Sequence, residues 1–140
     1  MKKNNLYILL LLIVFGAISS PVIAQSDAVM YFCEKYDKYD GEVGISDRFT
    51  TGYITVMVKS DYELRLRDVH IQYDQYNERT GRFEFYKKFD YTIEPDMKYV
   101  FFSRNSDSDL EFEDPGIYRV FLLDDRDKTV ASALIEIIRR

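Results

Sequence analysis

The stretch that decides the fold is EDPGIYRVFLLDD, residues 113–125. It opens on an acidic bend, where Pro115 fixes one backbone torsion and Gly116 accepts torsions closed to other residues. Beyond the bend the side chains alternate. Tyr118, Val120 and Leu122 fall on one side of an extended chain and Arg119, Phe121 and Leu123 on the other, because successive residues of a strand point to opposite faces. A bend followed by a period of two predicts a strand entered at Pro115 and Gly116, with one of these two sides inward.

The same period runs outward from this stretch. DVHIQYDQY (68–76) sets Val69, Ile71 and Tyr73 against His70, Gln72 and Asp74. GRFEFYKKFDYTIEP (81–95) sets Phe83 and Phe85, then Phe89, Tyr91 and Ile93, against Arg82, Glu84, Lys88 and Asp90. GYITVMVKS (52–60) does so with Ile54, Val56 and Val58 against Tyr53, Thr55 and Met57. AVMYFCE (28–34), MKYVFFS (97–103) and TVASALIEIIR (129–139) complete the set. The last has a mixed pattern that also suits a helix, but its Val, Thr and Ile content favours a strand. Gly, Asp, Asn and Pro separate the segments, and the polar connection 104–114 is long enough to cross between sheets. About seven short alternating strands predict an all-β, antiparallel sandwich.

The corner resembles a known one. Asp114-Pro115-Gly116-Ile117-Tyr118-Arg119-Val120 is similar to the tyrosine corner of immunoglobulin-like and fibronectin-type sandwiches, with Val120 at the place of a frequent Cys. The resemblance implies a hydroxyl bond from Tyr118 back to the upstream backbone and a sandwich without the usual disulfide. It also departs from the pattern, since Tyr73 or Ile71 stands where the family often carries a core Trp. The stretch 29–58 resembles the opening of small exported bacterial proteins of unknown function, which implies no particular activity.

The chain begins with Lys2 and Lys3, an apolar run from Leu6 to Ile18, a break at Ser19-Ser20-Pro21, and Val22-Ile23-Ala24 before Gln25. That is the pattern of a cleavable signal peptide over 1–24. The rival, a retained membrane anchor, needs ~20 apolar residues, more than this run supplies. Residues 25–140 then form one domain of ordinary size, exported to the periplasm or secreted, and not embedded in a membrane. Loss of the two lysines makes the remainder more acidic than the chain's net charge of −5, which repels nucleic-acid phosphates and anionic lipids. Cys33 is the single cysteine, so no intrachain disulfide forms.

Motifs for chemistry are few. His70 is the single histidine, and a nucleophilic Cys33–His70 pair lacks an evident orienting group. The sequence contains no Gly-x-Ser-x-Gly elbow, Gly-rich phosphate loop, His-x-x-x-His or Cys-x-x-Cys. No catalytic residue, zinc site or cofactor is expected. Asp107, Asp109 and Glu111 are weak calcium candidates, because calcium favours loop oxygens but the twelve-residue loop pattern is absent. The clearer signal is an apolar surplus. If Tyr118, Val120 and Leu122 face the core, as the resemblance to the tyrosine corner implies, Phe121 and Leu123 point away from it and would make an outer stripe with either Leu134 and Ile138 or Ala133, Ile135 and Ile137. Tyr73 or Tyr76 with Tyr86 offers a second surface suited to a protein or a sugar. These features point to a non-catalytic module that binds an unidentified protein partner or itself through a sheet face. The alternative is a carbohydrate- or small-ligand-binding sandwich assisted by calcium.

Overall fold

The structure, a computed structural model, describes residues 27–105 and 110–140. The leader expected over 1–24 and the candidates Asp107 and Asp109 lie outside the described residues. Among those described, the chain forms strands and no helix. In chain order the strands are β1 (Val29–Cys33), β2 (Lys35–Asp37), β3 (Gly41–Val43), β4 (Arg48–Thr50), β5 (Gly52–Tyr53), β6 (Thr55–Lys59), β7 (Asp68–Asn77), β8 (Arg82–Thr92), β9 (Tyr99–Phe102), β10 (Glu111–Phe112), β11 (Gly116–Leu123) and β12 (Thr129–Ile138). Each alternating segment of the sequence is a strand here, including 129–138. The additional elements are two or three residues long, too short to show a period.

Two sheets carry the core. One has the order β1-β6-β9 and the other the order β4-β12-β11-β7-β8. Pairing within them is antiparallel except that β4 lies parallel to β12. The connection after β9 leads from the smaller sheet to the larger, and on the way β10 pairs with β5. Met30, Phe32, Val56 and Val58 from the smaller sheet pack with Val69, Ile71, Tyr73, Tyr118, Val120 and Leu122 from the larger, joined by Leu110 and Phe112. Alternation explains this set, because each strand presents every second residue inward. The Tyr73 ring stacks on Phe112 at 4.4 Å between centroids, and Phe112 meets Tyr118 edge-on at 5.0 Å.

The entry to β11 is tied by its own residues. Tyr118 Oη donates to the Asp114 carbonyl at 2.7 Å, while burial pushes its phenol pKa up and keeps the proton available to donate. Gly116 has φ +153°, and a Cβ there would stand 3.2 Å from Gln75 Nε2. A side chain at this position meets both strain and crowding. Gly116→Ala is therefore expected to cost about 1 kcal/mol or more and to lower the thermal midpoint by roughly 4 °C or more. A midpoint within about 1 °C of wild type would show that the bend accepts a side chain.

One irregularity decides which side chains face outward on the larger sheet. The β7–β8 register slips between Tyr73, opposite Lys87, and Asp74, opposite Phe85, which leaves Tyr86 as an extra residue on β8. A one-residue slip moves all that follows to the other face. Phe89 and Tyr91 therefore keep to the core side, but Phe83 and Phe85 turn outward, away from the face expected for them.

Candidate functional site

The outer face of the five-stranded sheet is assembled by this bulge. Arg119 on β11 lies opposite Leu134 on β12 and Asp74 on β7, and Asp74 lies opposite Phe85 on β8. Phe121 lies opposite Ser132 and Gln72. Tyr76 lies opposite Phe83, their ring centroids 5.3 Å apart. Four large apolar side chains on this face are open to solvent: Phe85 is 66% exposed, Leu134 53%, Ile117 46% and Tyr76 36%. The Arg119 guanidinium sits 4.4 Å from the Phe83 ring centroid, a cation–π contact that holds it against that ring. An apolar patch around an arginine, with charged residues outside it, is the make-up of a protein interface.

The residues singled out in the sequence distribute differently. Phe121 points outward and is half-buried, and Tyr76 is on the same face. Leu123, expected outside, is buried at 6% exposure. Its cross-strand neighbour is His70, and the β11–β12 turn leans over that corner, with Asp127 bonded to Lys88 on β8 and 4.0 Å from His70 Nε2. Tyr73 is fully buried because it belongs to the inward set with Ile71, so it offers no surface. Tyr86, thrown inward by the bulge, meets Tyr118 edge-on at 5.4 Å and reaches Glu113 at 3.5 Å, so it does not join Tyr76. On β12 the structure selects Leu134 for the outer face and buries Ile135 and Ile137. Phe83, Phe85 and Ile117 were missed as surface residues. The one available signal was Lys87-Lys88 inside an alternating run, two consecutive charges that cannot both face water on a regular strand with a buried side.

The remaining chemistry is dispersed. His70 Nδ1–H donates to Asp90 Oδ1 at 2.7 Å on the outer face of the larger sheet. Cys33 is buried on β1 of the smaller sheet, so the sandwich core lies between the two and they form no pair. Glu111 sits in β10 opposite Tyr53, and its carbonyl accepts a bond from Lys87 Nζ at 3.3 Å. Among the described residues no group of three or more His, Cys, Asp or Glu is placed to hold a metal ion. An open cleft of about 1290 Å³ lies beside β4, β5 and β10, lined by Arg48, Phe49, Tyr53 and Glu111 among others. The Arg104 guanidinium, 4.5 Å from the Tyr53 centroid, already occupies one face of the ring a sugar would stack on.

A second charged cluster lies on the opposite side of the molecule. Glu42 on β3 accepts a bond from the Tyr31 hydroxyl and an ion pair from Lys59 Nζ at 2.8 Å. The Lys59 bond first, then that of Tyr31, hold the Glu42 carboxyl well below the usual carboxylate range. Burial, and then the adjacent Glu42, push the Tyr31 and Tyr99 phenols up. A depressed carboxyl gives stability that is fully present above its ordinary value of 4.5 and is lost as the pH falls toward the lower folded value. Urea unfolding followed down through pH 4.5 should show wild type losing stability faster than Glu42→Gln, so that the two converge in acid. Parallel curves would mean that Glu42 makes no pH-linked contribution.

Compared with known proteins, the chain matches no family model, and no curated protein sequence matches it significantly.

Proposed function

We propose that this chain is a non-catalytic interaction module, exported by its N-terminal leader and built as an immunoglobulin-like sandwich, which pairs with a second copy through the outer face of its five-stranded sheet. The carrying observation is the patch of Phe85, Leu134, Ile117, Tyr76 and Phe83 left around Arg119. Burying such a patch releases water from apolar area and places an arginine among aromatic and aliphatic side chains, the pattern of residues that dominate binding energy. The immunoglobulin-like reading is supported by the β4–β12 parallel pairing, by the division into β1-β6-β9 and β4-β12-β11-β7-β8, and by the Tyr118–Asp114 bond.

A second copy suits the charges. The chain is acidic, with a net charge of −5, and acidic surfaces of two copies repel. This face instead balances Arg119 with Asp74, Lys88 with Asp127, and Arg48 with Glu136. Arg119 and Asp74 are cross-strand neighbours, so a two-fold axis between them sets each against the other's counterpart. Five strands at ~4.8 Å and eight residues at ~3.3 Å make a face on the order of 600 Å², close to the ~800 Å² each partner gives to a standard interface.

Light scattering over a concentration series tests this. Wild type is expected to be a dimer at tens of micromolar, roughly the strength of a modest interface, and Phe85→Asp a folded monomer with an unchanged thermal midpoint. A wild type that stays monomeric up to about 1 mM overturns the reading.

A further inference from the structure

The β2–β3 hairpin is an insertion that serves neither main sheet. Its two strands pair only with each other, between the β1 strand and the turn to β4. Within the hairpin, Asp37 Oδ1 accepts bonds from the Tyr39 and Asp40 amides, and Glu34 N–H donates to the Val43 carbonyl at 3.0 Å. These bonds make it a unit that can move without breaking its own ladder. At its base Gly44 has φ +68°, and a Cβ there would lie 2.7 Å from the Glu34 side chain, so this corner requires glycine.

Side chains hold the hairpin against the outer face of the smaller sheet. The Tyr36 ring stacks on Phe101 at 4.5 Å and meets Tyr99 edge-on at 5.9 Å. Glu42 is bound by Tyr31 from β1 and Lys59 from β6, and Lys59 Nζ also lies 4.7 Å from the Tyr99 ring centroid. Beneath the hairpin, Met57 lies opposite Tyr31 and Phe101 on the neighbouring strands. Met57 and Cys33 are both fully buried, yet neither belongs to the core between the sheets. The hairpin thus closes a second, smaller apolar layer.

We propose that the β2–β3 hairpin is a latched cover that lifts from the smaller sheet as a unit without unfolding the sandwich, and that the Glu42 carboxylate is its latch. The physical basis is the asymmetry of attachment. The two main sheets share ladders and a common core, whereas the hairpin is held by one ion-paired carboxylate, one stacked ring and the weak bond from the Cys33 thiol to the Lys35 carbonyl. Segments with few shared backbone bonds open at lower free energy than the global transition. Lifting uncovers Met57 and widens the exposure of Tyr31, Tyr99 and Phe101, of which Phe101 is already 46% exposed. The proposal is independent of association through the five-stranded sheet, which lies on the far side of the core.

Cys33 supplies the reporter, because it is buried under the cover and is the single thiol. The labelling rate of the native chain with N-ethylmaleimide, read by mass, is measured across low urea concentrations, well below the unfolding midpoint. Wild type is expected to label slowly at a rate independent of urea, the mark of local opening. Glu42→Gln should label on the order of tenfold faster, since a charge-assisted bond is lost, and still at a rate independent of urea, although its global stability at neutral pH is lower than that of wild type. Tyr31→Phe, which removes one bond to the latch and keeps the ring, should fall between them, and it keeps the test decisive if Glu42→Gln folds poorly. Amide exchange should be faster over 35–43 than in β7 and β11. Equal labelling of wild type and variants, or labelling that rises only with global unfolding, overturns the proposal.

Discussion

Tyr118→Ala is expected to destabilise the chain by about 3–5 kcal/mol, the cost of removing a fully buried aromatic side chain, against a total stability of about 5–15 kcal/mol. The ring is fully enclosed and contacts Phe112 and Tyr86 edge-on, so its loss leaves a cavity that the two facing sheets cannot both close. Tyr118→Phe keeps the ring and removes only the bond to the Asp114 carbonyl, an expected cost of about 1 kcal/mol. Urea unfolding of the three proteins separates the contributions, provided the slope with denaturant is shared. If Tyr118→Phe costs as much as Tyr118→Ala, the tie to the loop outweighs the packing. If Tyr118→Phe is neutral, Asp114 finds water as readily as the hydroxyl and the corner is held by the ring alone.

Reversing the charge at the centre of the outer face should have the largest effect on association. Arg119→Asp places two carboxylates side by side on neighbouring strands, next to Asp74, and removes the guanidinium from the Phe83 ring. Like charges facing each other across an interface cost several kcal/mol, so self-association measured by sedimentation should weaken by at least a hundredfold. Asp74→Arg should weaken it as well, for the opposite sign. The decisive protein is the double variant, Arg119→Asp with Asp74→Arg, in which each copy again offers both charges to its partner. Recovery to within about tenfold of wild type fits a two-fold contact through this pair. A double variant as weak as either single one shows that the pair does not face its counterpart.

The inward sides of β7 and β11 were legible because their alternation is unbroken from Val69 to Tyr73 and from Tyr118 to Leu122, and each of these side chains is fully buried, Tyr73 against its expectation as a surface residue. The bend at Gly116 was legible for a local reason, since Pro115 and Gly116 are adjacent turn residues. The candidate surface was legible only in part. Phe121 and Tyr76 stand on it, but Phe85 and Phe89 are four residues apart, which on a regular strand places both on one side. The extra residue at Tyr86 separates them, and a bulge is a property of two paired strands. Leu123 followed the alternation correctly in direction yet is buried, because the turn through Asp127 reaches across to Lys88.

By itself the sequence determined the all-β class, the alternating strands, the bend at Gly116, and an apolar surplus beyond what one core needs. Each of these depends on residues within a few positions of one another, where the two-residue period and turn chemistry act directly. The tertiary structure alone decided where the surplus goes. Met57 and Cys33 are buried under a hairpin that reads as a loop, while Phe83 and Phe85 are turned to solvent by a register slip against β7. Both outcomes depend on which distant segment covers or pairs with a strand, and side-chain alternation along one strand carries no information about its neighbours.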